Sequence, residues 1–150
     1  MRKRQVSVLL VATVAVVLVA GCTTTGVPVP ALMSPVSGTS EPGLFVLGTA
    51  AEKAVVGPCT SAATTITATT SSPNSDVVVA FSSLVDGQYE EFERATVPAG
   101  TGSAAVVVPG GCYRVSLQSA RLYCDGSVTV GFSCPVVLPP TYQFTYTVTF

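Results

Sequence analysis

Hydrophobic and polar positions divide the 150-residue chain into three textures. Behind the basic start Met1-Arg2-Lys3-Arg4, Val6 to Ala20 forms an apolar run broken only by Ser7 and Thr13. That run is shorter than the roughly 20 residues that span a bilayer, and it suits the apolar core of an export signal. Residues 22–43, CTTTGVPVPALMSPVSGTSEPG, hold four prolines and no periodic apolar face. Such a stretch buries too little to fold and reads as a semi-extended tether, holding the rest of the chain roughly 25 Å from its start. From Leu44 onward Val, Thr, Ile, Phe and Tyr gather in short runs without a sustained helical period, which predicts strands. Seven candidates emerge, at 44–48, 62–70, 76–82, 89–97, 103–108, 112–120 and 142–150. Ser72-Pro73-Asn74, Asp86-Gly87, Pro98-Ala99-Gly100 and Pro109-Gly110-Gly111 punctuate them as turns.

About seven short antiparallel strands over 44–150 predict an all-β domain of the size and rhythm of an immunoglobulin-like β-sandwich, with a small β-barrel as the alternative. Within 112–120, Tyr113, Val115 and Leu117 share one face, and Arg114, Ser116 and Gln118 the other. Gly111-Cys112-Tyr113-Arg114-Val115 resembles the opening of the sixth strand in immunoglobulin-like and related bacterial sandwich domains. The resemblance implies a Tyr113 hydroxyl bonded back to a nearby corner. At the C-terminus Tyr142, Phe144, Tyr146, Val148 and Phe150 alternate with Gln143, Thr145, Thr147 and Thr149. This resembles the closing strand of outer-membrane barrels, but the earlier strands lack the aromatic-flanked alternation of a barrel. The segment is read as the seventh strand with its aromatic face in the core.

The end of the apolar run, Leu18-Val19-Ala20-Gly21-Cys22, resembles the lipobox of bacterial lipoproteins. The resemblance implies cleavage between Gly21 and Cys22, a signal peptide over 1–21, and a diacylglyceryl group on the Cys22 thiol. The implied partner is membrane lipid, and two or three acyl chains on one residue hold a protein firmly to a bilayer. An exported, lipid-anchored bacterial protein of the cell membrane or outer membrane is expected. With Thr23 rather than Asp after Cys22, the family's sorting tendency favours the outer membrane where there are two.

Cys59, Cys112, Cys124 and Cys134 then remain, an even set expected to oxidise in an exported chain. Of the three possible pairings, Cys59–Cys112 with Cys124–Cys134 is favoured. Cys59 precedes the second strand candidate and Cys112 opens the sixth, and both strands start at one end of an alternating sandwich. Against this, a hairpin at Asp125-Gly126 would carry Cys134 roughly 20 Å from Cys124, beyond disulfide reach. A disulfide-pinned excursion over 121–141 would present Arg121, Tyr123, Asp125 and Phe132 as a candidate binding loop.

Composition narrows the chemistry further. The chain has no His, which removes Ser-His-Asp and Cys-His catalysis and imidazole metal sites. No Cys-x-x-Cys spacing offers a metal site either, and no cofactor is expected. Seven Lys+Arg against eight Asp+Glu give no electrostatic footprint for nucleic acid. With Arg2, Lys3 and Arg4 removed, only Lys53, Arg94, Arg114 and Arg121 stay cationic. Asp86, Glu90, Glu91 and Glu93 are the one concentration of carboxylates, and read first as a charged edge strand. Their alternative use is a carbohydrate-active or other hydrolytic site, which needs two carboxylates facing across a cleft. The expected function is a non-catalytic binding or structural module of the cell envelope, with an envelope protein, surface protein or glycan as partner.

Overall fold

The computed structural model describes residues 34–124 and 141–150. Their strands are β1 (Val36–Thr39), β2 (Gly43–Leu44), β3 (Glu52–Val56), β4 (Thr64–Ser72), β5 (Val77–Val85), β6 (Gln88–Val97), β7 (Gly100–Val108), β8 (Tyr113–Ser119), β9 (Thr141–Tyr142) and β10 (Thr145–Thr149). Two antiparallel four-stranded sheets, ordered β1-β10-β4-β7 and β3-β8-β5-β6, face each other, with β2 and β9 paired at one end. The all-β antiparallel sandwich expected from the strand rhythm is present, and among the described residues it is not a closed barrel. Within that class the strand order is that of an eight-stranded jelly roll. The last long strand, β10, lies between β1 and β4 rather than beside β8, where an immunoglobulin-like domain would put it.

Alternation builds the core. β4 reads TTITATTSS and turns Ile66, Ala68, Thr70 and Ser72 inward, leaving Thr65, Thr67 and Thr69 on the outer face. β8 buries Tyr113, Val115 and Leu117, and the C-terminal segment buries Tyr142, Phe144, Tyr146 and Val148, as the sequence predicts. β5 and β6 join through Asp86 and Gly87, whose φ values of 49° and 82° make the two-residue turn that suits strand twist. Phe81 pairs with Glu93 and Ser82 with Glu91, so Phe92 is the extra residue of a β-bulge.

The sandwich starts upstream of Leu44. Val36–Thr39, inside the expected tether, pairs with β10, and the Ser37 and Thr147 hydroxyls hydrogen-bond at 2.8 Å. Four residues of VSGT carry too little alternation to announce a strand; the pairing that makes them one comes from the other end of the chain. Glu52–Val56 is likewise an unpredicted strand, because its charged opening hides an edge position at which Val55 is buried. Conversely, the 44–48 run is a strand only through Leu44, and 142–150 splits at Gln143 and Phe144. There the Gln143 amide donates to the Ser40 carbonyl, and the Phe144 N–H to the Ser40 hydroxyl.

A disulfide joins Cys59 and Cys112, with Cα atoms 4.1 Å apart. The predicted pair is correct, and its immediate cause is β3. Val56 pairs with Arg114, and Thr60 N donates to Gly111 O, so the two cysteines sit across neighbouring segments. Cys124 is also disulfide-bonded; its expected partner Cys134 lies outside the described residues, as does the Asp125-Gly126 turn. At the same end of the sandwich as Cys59 and Cys112, the Tyr113 hydroxyl donates to Pro109 O at 2.7 Å, the corner bond its motif implies. β1 also begins at this end, since Val36 pairs with Val148 while Thr39 pairs with Thr145 further along.

Candidate functional site

The opposite end of the sandwich carries an exposed apolar tip. After β2 the chain turns through Phe45-Val46-Leu47-Gly48-Thr49. Gly48 N donates to Phe45 O, Thr49 N to Leu44 O, and the Thr49 hydroxyl accepts from Leu44 N. Gly48 takes a φ of 59°, the left-handed conformation that closes this turn. Phe45 packs inward on Tyr142, ring centroids 4.7 Å apart. Val46 and Leu47, 54% and 69% exposed, face solvent.

Segment 120–124 packs beside the turn. Cys124 N donates to Phe45 O, and Tyr123 lies over Gly48, where an added Cβ would come 3.3 Å from its ring. Beneath them the Tyr142 hydroxyl donates to Thr49 O and accepts from Leu122 N. One buried hydroxyl thus ties both segments together and sets Tyr123, 57% exposed, against Gly48. A concavity of about 280 Å³ opens alongside, lined by Leu47, Gly48, Thr49, Ala50, Glu52, Gln118 and Arg121.

Of the predicted loop residues, Arg121 and Tyr123 therefore meet at the tip, while Asp125 and Phe132 lie outside the described residues. Gly21 and Cys22 lie outside them as well. Sequence reasoning misses Val46 and Leu47, which it places in a strand. Four successive apolar residues ending at a glycine fit a solvent-facing turn better than a half-buried strand.

The acidic cluster sits at the other end and does not assemble a cleft of facing carboxylates. Asp86 occupies the hairpin turn. By register Glu91 lies on the outer face of its sheet and Glu90 on the opposite one. Glu91 is engaged by Arg94, whose Nε and Nη2 donate to its two oxygens at 2.7 and 2.8 Å. This hydrogen-bonded guanidinium holds the Glu91 carboxyl below its ordinary value and raises Arg94. Along the outer face of the β3-β8-β5-β6 sheet, Ala54, Ser116 and Ala80 floor a wider trough of about 510 Å³ between Glu52 and Arg94. Toward the hairpin, Arg114 stacks over Tyr89 at 4.8 Å. Among the described residues no cluster of three or more His, Cys, Asp or Glu could hold a metal ion.

No protein-family model and no curated protein sequence matches the chain. Among solved structures it is similar to the Yersinia pseudotuberculosis-derived mitogen, at 12% identity and a TM-score of 0.46, over 77% of this chain and 83% of that one.

Proposed function

We propose that this chain is an exported, lipid-anchored envelope protein whose sandwich is a non-catalytic binding module. The observation that carries the reading is the separation of two features along the strands. The described chain joins β1 at the Cys59–Cys112 end, and the Val46–Leu47–Tyr123 tip lies at the other. A protein held by lipid on Cys22 would then have its chain enter the sandwich at the end far from the tip. The Cys59–Cys112 disulfide supports an oxidising, exported location. Exposed apolar side chains on a braced turn, with Arg121 at the rim, suit a protein or glycan partner with an apolar patch.

The test uses the full chain in its own cells. Wild type should fractionate with membranes and Cys22→Ser should not. A photo-crosslinking residue at position 47 should give a discrete adduct that Tyr123→Ala abolishes, while one at position 67, on the opposite sheet's outer face, gives none. Membrane association that survives Cys22→Ser sinks the anchor. Adducts at 67 and none at 47 sink the tip.

A further inference from the structure

The hollow at the tip and the trough on the sheet face are one groove. Glu52 and Gln118 line both, so the space beside Leu47 and Arg121 opens into the trough. Register builds its floor. Ala54, Ser116 and Ala80 stand side by side on β3, β8 and β5, and the same row ends at Arg94 on β6. The next row toward the tip holds Glu52 and Gln118, and the row on the other side holds Arg114. Alanine packs little against cross-strand neighbours. The middle row therefore lies below those flanking it, and the groove crosses the strands.

We propose that this groove binds a linear, uncharged glycan, with one end at the tip and the rest along the β3-β8-β5-β6 face. The proposal rests on the tip as a binding site and names its partner. Glu41, Glu52 and Glu91 are matched by Lys53, Arg94 and Arg121, so the lining charges cancel and a net-charged ligand gains little from them. Two pairs are closed on themselves, Lys53 with Glu41 at 3.7 Å and Arg94 with both oxygens of Glu91. The Glu52 carboxylate, Gln118 amide, Ser116 hydroxyl and Arg121 guanidinium have no side-chain partner among the described residues. Together they offer acceptors and donors, and a sugar hydroxyl uses both, donating one bond while accepting others. A peptide would need an unpaired strand edge or apolar anchor pockets. Here β8 and β5 are interior strands paired on both sides, and the floor is alanine and serine.

The test takes the full chain in a zwitterionic detergent to an array of neutral hexose and N-acetylhexosamine oligosaccharides. NMR titration of the isotope-labelled chain with the best binder then maps the site on wild type, independently of any variant. Amides of Glu52, Ala54, Ala80, Ser116 and Gln118 should shift together with those of Leu47 and Arg121. Gln118→Ala, or Ala54→Leu to fill the floor, should weaken binding roughly tenfold or more with circular dichroism unchanged. Thr67→Ala, on the other sheet's outer face, should leave binding intact, and added salt should change the affinity little. Shifts confined to the tip would overturn the groove and leave the tip standing. Shifts confined to the sheet face would uphold the glycan site there and overturn the tip. No neutral glycan bound, binding indifferent to both groove variants, or binding lost as salt rises would each overturn the proposal.

Discussion

Removing the Cys59–Cys112 link by Cys59→Ser/Cys112→Ser should cost the domain most of what the link contributes through the unfolded chain. The bond closes a loop of sequence separation 53, for which the chain-entropy relation gives roughly 4 kcal/mol at 25 °C. The native side of the balance should change little. Gly57 N–Tyr113 O and Thr60 N–Gly111 O hydrogen bonds flank the bridge and do not depend on it. Cys59 is exposed and Cys112 half-buried, so the serine hydroxyls stay within reach of water. For a domain of this size 4 kcal/mol corresponds to a melting temperature lower by roughly 15 °C. Urea unfolding followed by far-UV circular dichroism measures the loss. It should also show a steeper denaturant slope, because an unlinked unfolded chain exposes more surface. The double variant is used because a single one frees a thiol to exchange with the remaining disulfide. A loss under about 1 kcal/mol with an unchanged slope would refute the reasoning, since the two segments would then be near each other in the unfolded chain without the bond.

Two further outcomes rest on single contacts. Tyr113→Phe keeps the ring but removes the donor to Pro109 O, and should cost about 1–2 kcal/mol in urea unfolding; a cost near zero would show that the corner closes without it. For Glu91, the folded-state carboxyl titrates below its unfolded value. The pair's contribution is therefore present above the ordinary glutamate range and is lost as pH falls through the lowered value. Carboxyl NMR titration should find Glu91 below the ordinary glutamate value, and Arg94→Gln should return it upward. Stability at neutral pH should barely change, because both groups are exposed. An Arg94→Gln variant with the same Glu91 titration would refute the assignment.

The strands that write themselves into the sequence are those with one buried face. β4, β8 and the aromatic C-terminal segment alternate cleanly because every second residue enters the core, and each was legible. β1 and β3 were not, since an edge strand is held by the backbone of its neighbour and needs few apolar side chains. The Tyr113 corner was legible because five local residues determine it. The tip was legible in part. Arg121 and Tyr123 stand out as polar and aromatic residues near Cys124. Val46 and Leu47 are exposed only because Gly48 turns the chain and Tyr142, far away in sequence, clamps it. Strand order was the least legible feature. Seven alternating segments fit more than one sandwich, and the choice lies in whether β10 pairs with β4 or β8, a contact no local pattern encodes.

The pairing of β1 with β10 bears on when this protein can fold. The Ser37–Thr147 hydrogen bond spans 110 residues, and β10 is the only strand with which β1 pairs among the described residues. β5 and β6 can close as a hairpin once both are available, whereas β1 has no partner in the sheet until β10 has emerged. Contacts of such sequence separation slow folding, because loop closure must precede any gain from them. A chain that emerges N-terminus first would thus leave β1 unpaired until β10 had followed it. Completion of the β1-β10-β4-β7 sheet is delayed during synthesis by topology alone.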